Sequence, residues 1–228
     1  MIYGGIPMTS VDVYNSLKHD ILYLNLRPGD MISELEICKQ YGISRTPARD
    51  AIKALVAEGL LEVRPHVGTF ISLIDLSKVS DSVFIREVLE QAVLKELCPN
   101  FNSYDALNLE AILSQQSALV NSERTSETSW DFIQLDNKYH EKLFEIAGKT
   151  GIWNSICSTN QHYNRFRTLL VKCDLDDIEK LYEQHRQIYN FLLSHDEENL
   201  HIIINKHVTS GFKRCHEVME KYSRYFTP

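Results

Sequence analysis

Aspartate and histidine residues recur at positions from which they could together ligate a metal ion. Asp136 and His140 are four residues apart on one predicted helix, so their side chains face the same way. His140, His185 and His207 each lie among apolar residues at helical spacing. These inward-facing histidines are either core residues with satisfied hydrogen bonds or members of one site with Asp136. Such a mixed nitrogen and oxygen site would suit zinc, nickel or a similar divalent ion.

A second group of side chains is cationic. Arg45, Arg49 and Lys53 recur at i, i+4 and i+8, which predicts a basic stripe opposite the apolar face of one helix. The major groove of DNA admits one helix, and the planar arginine fork suits guanine edges or phosphate. Ser44 and Thr46, at the helix start, could add hydroxyl contacts. A solvated basic face would show the same spacing, so the stripe alone does not decide between the two interpretations.

Glycine and proline divide the chain into two parts. They interrupt residues 9–75 about every dozen residues, whereas long uninterrupted stretches with helical apolar spacing follow. We therefore predict one domain over residues 9–75 and a second over residues 76–228.

The first part is predicted to contain three helices and a β-hairpin. Ser33 and Glu36 match a capping box at the start of the second helix, and Gly42 suits its end. Two short strands are expected at 61–64 and 69–72, after the third helix. Two helices joined by a glycine turn and followed by a hairpin predict a winged helix-turn-helix.

The second part is predicted to be all-α. Short loops between its helices favour antiparallel packing of neighbours. The predicted fold is therefore mostly α, with an N-terminal winged helix-turn-helix followed by an all-α antiparallel helical bundle. The six helices of the bundle are expected at about 78–98, 104–122, 127–148, 151–172, 175–195 and 197–223.

Composition excludes several classes of protein. The 228 residues carry a net charge of −7, which argues against a histone-like or polybasic membrane-binding protein. The five cysteines form no CxxC pair and are odd in number, which is typical of reduced thiols and not of a disulfide framework. No apolar run approaches the length of a membrane span, so we expect no membrane partner and a cytoplasmic location.

The amino-terminal sequence contains three specific segments: RPGDMISE at 27–34, GISRTPARDAI at 42–52 and LVAEGLL at 55–61. Together they resemble the DNA-binding domain of GntR-family bacterial regulators, from about Ser10 to Ile71.

This resemblance implies roles for individual DNA-binding residues. Arg45, Thr46 and Arg49 would contact the major groove of double-stranded DNA, and Ser44 would help to fix the helix on the backbone. The wing of the family usually carries a basic residue just before its glycine. Here the turn reads His66-Val67-Gly68, so His66 is either a minor-groove contact or an ordinary turn residue.

The second part resembles the FCD ligand-binding domain of the FadR subfamily. The resemblance implies a divalent metal ion, most simply zinc or nickel, bound by Asp136, His140, His185 and His207. His162 and His201 are alternative ligands. The segments that carry the resemblance are IREVLE at 85–90, LDNKYHEKL at 135–143, EQH at 183–185 and NKH at 205–207.

Arg86 is expected on the apolar face of its helix, where a guanidinium needs a partner. Its spacing allows an i, i+4 ion pair with Glu90. The FCD resemblance instead implies that Arg86 clamps the carboxylate of a small effector near the metal.

These patterns predict a transcriptional regulator, most simply a repressor, that binds a pseudo-palindromic operator as a homodimer. A small organic acid bound beside the metal would control its operator affinity. The alternative is a metal-dependent enzyme or a direct metal sensor that uses the Asp/His cluster. The sequence contains no HExxH, GxSxG or phosphate-binding glycine loop, which argues against an enzyme.

Overall fold

The computed structural model describes residues 8–173 and 177–228. Contacts divide the chain into two units. The N-terminal unit extends to Leu76 and also takes in Tyr222–Pro228, while Ser77–Lys221 form the helical unit. The domain boundaries expected from the sequence, with residues 76–228 in one domain, remain a prediction. None of the described helices is long and apolar enough to cross a membrane.

The N-terminal unit is a winged helix-turn-helix, as the sequence predicts. Its elements are α1 (Ser10–Leu22), β1 (Met31–Ile32), α2 (Glu34–Tyr41), α3 (Arg45–Ala57), β2 (Leu61–Arg64) and β3 (Gly68–Ile71). The three strands form an antiparallel sheet in the order β1-β3-β2. Apolar faces of α1 and α3 pack together with α2 and the sheet around a core that includes Leu17, Ala51 and Leu55.

The short strand β1 is not predicted from the sequence. Met31 pairs with Phe70 and Ile32 with Thr69, so β1 covers the free edge of β3. Two residues are too few to show the period-2 alternation by which a strand is identified. Strand β1 forms because the edge of β3 is available for pairing.

The ends of α2 differ in how well the sequence predicts them. Gly42 ends the helix in the left-handed conformation, with a φ of 66°, which costs glycine little. The expected capping box at its start is wrong, because the Ser33 side chain makes no cap hydrogen bond. Glu34 and Glu36 lie in the first turn instead, where negative charge complements the helix dipole.

The helical unit contains eight α-helices among the described residues, two more than predicted. The helix expected at 151–172 is interrupted at Asn160, and the one expected at 197–223 is interrupted at Arg214. Both residues have ψ near zero (13° and 11°) and donate an N–H to a carbonyl three residues back. The predicted start of the 175–195 helix lies partly outside the described residues. The helices are α4 (Leu76–Leu97), α5 (Ser103–Val120), α6 (Ser126–Ile146), α7 (Thr150–Thr159), α8 (Gln161–Cys173), α9 (Asp177–Leu193), α10 (Glu197–Lys213) and α11 (Cys215–Tyr222).

The last residues of the chain belong to the N-terminal unit. The Ile74 N–H donates to the Tyr225 carbonyl (2.8 Å), and the Thr227 N–H donates to the Ile74 carbonyl (2.9 Å). Tyr225 and Phe226 are buried, as is Ile74. The C-terminal tail (residues 223–228) therefore forms a parallel bridge with the segment that follows β3.

We expect Phe226→Ala to destabilise the N-terminal unit by about 3 kcal/mol, because truncating a buried phenylalanine loses apolar burial and leaves a cavity. Denaturant unfolding would measure the loss, and hydrogen exchange of the Ile74 amide would localise it. Thr227→Ala is the matched control, since its side chain is exposed and its backbone bond is kept. Equal stability of both variants and the unsubstituted protein would show that the Phe226 side chain contributes nothing.

Candidate functional site

The exposed start of α3 carries the side chains expected to contact DNA. Ser44, Arg45, Thr46 and Arg49 are all exposed. Arg49 Nε donates to Glu34 Oε2 (2.7 Å), and Arg45 Nε lies 3.9 Å from the other oxygen of the same carboxylate. Glu34 therefore holds the Arg49 side chain across the gap between α2 and α3.

The turn between β2 and β3 forms the wing. His66 is exposed and has a φ of 61°, in the left-handed region, and Gly68 has a φ of 154°. Arg64, at the end of β2, lies over the Phe70 ring (4.4 Å to the centroid) and pairs with Glu62 (3.2 Å). Sequence reasoning missed Arg64, a basic wing residue two positions before His66.

A buried cluster in the helical unit brings together the four predicted metal ligands. Asp136, His140, His185 and His207 each offer one ligand atom, and these atoms all lie within 4.8 Å of one another. All four residues are buried. They come from three helices, since α6 carries Asp136 and His140, α9 carries His185 and α10 carries His207.

The ligand atoms lie near the spacing of a tetrahedral site, although His207 Nε2 is 3.9 Å from Asp136 Oδ1. His140 Nε2 lies 3.0 Å from His207 Nε2, and His185 Nε2 lies 3.4 Å from Asp136 Oδ1. Nitrogen and oxygen ligands of a tetrahedral zinc ion lie roughly 3.3 Å apart. The Nε2 of His185 is buried without a hydrogen bond among the described residues, as expected of a nitrogen whose lone pair can bind a metal ion. The residues present therefore fit a divalent metal.

Two amide oxygens fix the tautomers of His185 and His207. Gln116 Oε1 lies 2.9 Å from His185 Nδ1, and Gln184 Oε1 lies 2.9 Å from His207 Nδ1. A carbonyl oxygen can only accept, so each Nδ1 carries the proton and each Nε2 presents its lone pair to the cluster. Burial holds the pKa of both imidazoles below the usual range, further for His207. Both rings are thus in the neutral form that binds metals.

His140 is oriented by a carboxylate. Glu90 Oε2 lies 2.8 Å from His140 Nδ1, although neither atom makes an aligned hydrogen bond. Burial would raise the pKa of Glu90, but the charge of Arg86 holds it at about 2. The ionised Glu90 therefore favours the proton on Nδ1 and leaves Nε2 facing His207.

Asp136 is ionised because a buried guanidinium lies beside it. Arg167 Nη2 donates to Asp136 Oδ2 (2.5 Å). Burial would raise the pKa of Asp136, but the charge of Arg167 holds it well below the usual range. The other oxygen, Oδ1, faces the histidines.

Aromatic rings pack against the cluster. Tyr139 stacks on His185 with ring centroids 4.2 Å apart, and its hydroxyl donates to the His185 carbonyl (3.0 Å). Trp153 of α7 lies parallel to His140 at 6.2 Å. These contacts limit rotation of two of the three imidazoles.

Arg86 makes the ion pair that its spacing allows. Its Nε donates to Glu90 Oε1 (2.6 Å), and its Nη1 donates to the Tyr163 hydroxyl (2.7 Å). Arg86 Nη2 is buried and has no hydrogen-bond partner among the described residues. Arg86 also lines a cavity of about 270 Å³ that reaches Asp136 and His207. The ion pair therefore leaves one buried donor of this cavity-lining residue without a partner among the described residues.

The alternative histidine ligands lie elsewhere. His201 is exposed on α10, and His162 is buried beside Arg165, with Nδ1 3.4 Å from Arg165 Nη2. Neither belongs to the cluster.

Sequence reasoning missed the side chains that hold the ligands in place. Gln116, Gln184 and Arg167 come from α5, α9 and α8. Gln184 directly precedes His185 in the EQH segment, which is a weak signal. Gln116 is 69 residues from its partner His185, and no local pattern reports such a contact.

Comparisons with known proteins agree with both units. The family model described as bacterial regulatory proteins, gntR family, matches residues 9–71, and the FCD domain model matches residues 81–210. Among curated proteins, the chain is 26% identical to the transcriptional repressor RspR of Escherichia coli K12, over 94% of this chain and 92% of that protein. It is 29% identical to an HTH-type transcriptional regulator from an unstable DNA locus of Streptomyces ambofaciens, over 88% of this chain and 82% of that protein.

Solved structures show the same fold. Escherichia coli McbR/YncC superposes with a TM-score of 0.71 at 18% identity, covering 95% of this chain and 100% of that chain. Lar, which controls expression of the Listeria monocytogenes agr system, superposes with a TM-score of 0.64 at 16% identity, covering 94% of this chain and 99% of that chain. The matched families and named relatives are regulators and not enzymes. The chain is a transcriptional regulator of the GntR family, with a winged helix-turn-helix followed by an FCD domain.

Proposed function

We propose that this regulator belongs to the FadR subfamily and represses transcription from a pseudo-palindromic operator, which it binds as a homodimer. A small organic acid, bound beside a divalent metal ion in the helical unit, would control its affinity for the operator. The relative RspR is named as a repressor, which supports repression over activation.

The observation that carries the metal proposal is the convergence of three histidine Nε2 atoms with an ionised, buried aspartate. Asp136, His140, His185 and His207 would hold the ion. Mixed imidazole and carboxylate ligands suit zinc or nickel. When bound, the ion supplies positive charge that attracts a carboxylate to the adjacent cavity.

Arg86 supports an organic acid as the effector. Its Nη2 is a buried donor without a hydrogen-bond partner among the described residues, and leaving such a group unpaired costs about 1–3 kcal/mol or more. A carboxylate oxygen beside Arg86 would satisfy it.

The recognition surface would consist of Ser44, Arg45, Thr46 and Arg49, with the wing residues His66 and Gly68 beside it. Helix-turn-helix proteins read two half-sites as dimers, because operator symmetry mirrors protein symmetry. The contact between Glu34 and Arg49 would hold the arginine fork extended before DNA binds.

A second copy of the chain would cover an exposed apolar patch on α4. Phe84, Ile85 and Val88 are 66%, 39% and 48% exposed and lie within two turns of one helix. Clustered apolar residues at a surface are typical of protein interfaces. The two-fold symmetry that an operator requires favours a second copy as the partner.

We expect Arg49→Ala to abolish specific operator binding while metal content stays unchanged, because a bidentate base contact is worth about 1–3 kcal/mol. Genomic fragments bound by the purified protein would be selected and footprinted. Lys142→Ala, which removes an equal charge from the helical unit, is the matched control. An intact footprint with Arg49→Ala would contradict the assignment of α3 as the recognition helix.

Phe84→Glu is expected to convert the dimer to a monomer, because a charge would be buried in an apolar interface. Sedimentation equilibrium would report the mass in solution. Tyr104→Glu, at an exposed aromatic on α5, serves as the comparison. A dimer that survives Phe84→Glu and dissociates only with Tyr104→Glu would place the interface elsewhere.

His207→Ala is expected to reduce bound metal from about one ion per chain to a small fraction, since one of four ligands is lost. Elemental analysis after gel filtration measures the stoichiometry. His201→Ala removes an exposed histidine from the same helix and should leave it unchanged. Full metal content in His207→Ala protein that folds normally would refute the ligand set.

A further inference from the structure

The cavity beside the cluster is lined by both charged and apolar side chains. Of the charged and metal-site residues, Arg86, Arg167 and His207 are buried, while Lys180 and Lys206 are exposed. Apolar side chains of α8, α9 and α10 form much of the rest of the wall. These are Phe166, Leu170, Val171, Leu181, Val208 and Phe212.

The cavity volume limits the size of the ligand. An apolar cavity of roughly 150 Å³ accommodates benzene, so about 270 Å³ corresponds to on the order of ten non-hydrogen atoms by proportion. Gly211 lets α10 approach α8 at this wall, because a Cβ there would lie 2.8 Å from Leu170 Cδ1.

One buried donor of the wall favours an anion. Five cationic side chains line the cavity, namely Arg86, Arg167, Lys180, Lys206 and Arg214. The three arginines have anionic partners, since Glu90 pairs with Arg86, Asp136 with Arg167 and Glu217 with Arg214. Arg86 Nη2 nevertheless has no hydrogen-bond partner among the described residues, and a carboxylate oxygen would supply one.

The described lining residues include few uncharged polar side chains, and each already makes one hydrogen bond. Gln184 Oε1 accepts from His207 Nδ1, the Ser210 hydroxyl donates to the His207 carbonyl (3.3 Å), and the Tyr163 hydroxyl accepts from Arg86. A ligand with several hydroxyl groups would bury them against apolar side chains with too few partners, and each unpaired group costs affinity.

We propose that the effector is an aryl or alkyl carboxylate of about ten non-hydrogen atoms whose body carries no hydroxyl groups, and not a sugar acid. The carboxylate lies beside Arg86, and the apolar body packs between Phe166, Leu170 and Phe212. This inference rests on the proposed effector site and specifies its ligand class.

Calorimetric titration of the zinc-loaded full-length protein tests the ligand class. Hydrocinnamate and octanoate are the probes, hydrocinnamamide is the uncharged match, and gluconate is the hydroxylated match. We expect each apolar acid to bind at least ten-fold tighter than both matched compounds. Gluconate binding as tightly as octanoate would overturn the inference, as would no detectable binding of either apolar acid.

Two variants separate the roles of charge and of the apolar wall. Leu170→Asn should weaken octanoate binding at least ten-fold at unchanged zinc content, and Arg86→Gln should abolish the preference for hydrocinnamate over its amide. An octanoate affinity that is unchanged by Leu170→Asn would overturn the inference. Zinc stoichiometry and the operator footprint of the same preparations test the proposed function separately. Failure of the proposed ligand class is therefore distinguishable from failure of the proposed function.

Discussion

An ionised carboxylate withdrawn from water must be neutralised, and Asp136 imposes this requirement on the helical unit. Removing a charge from solvent costs several kcal/mol unless partners replace the water. Arg167 takes one carboxylate oxygen, and the other faces His185 and His207. The helices that carry these residues must therefore meet at one point, and a divalent ion would add positive charge beside the carboxylate.

The chain connects this cluster to the N-terminal unit at two places. One connection enters α4, which carries Arg86 and Glu90, and the other leaves through α11, which follows the His207 helix. In the N-terminal unit both connections meet at Ile74, which pairs with the tail around Phe226. Under the proposed function, an effector that favours one position of α4 or α10 would be covalently linked to the N-terminal unit through both connections. It would shift operator affinity only by its differential affinity for those positions.

Local sequence patterns predicted most of the helices and strands. They could not predict contacts between residues that are distant in the sequence. The Gly42 cap and the α3 stripe follow from short-range rules, and the winged helix-turn-helix follows from their order. The four metal ligands were predicted as one site from the resemblance to an FCD domain, because four ligands on three helices show no common local spacing. The contact of His185 with Gln116 and the pairing of Ile74 with the tail depend on tertiary packing. Sequence periodicity likewise gave no sign of the interruption at Asn160, since apolar spacing continues through it.

In the proposed function, Asp136 and three histidines form one metal centre. X-ray absorption spectroscopy of the zinc-loaded full-length protein tests this assignment most directly. We expect three imidazole nitrogens and one carboxylate oxygen at about 2.0–2.1 Å, with any further ligand a light atom. A spectrum with sulfur ligands, or one without imidazole scattering, would contradict the claim.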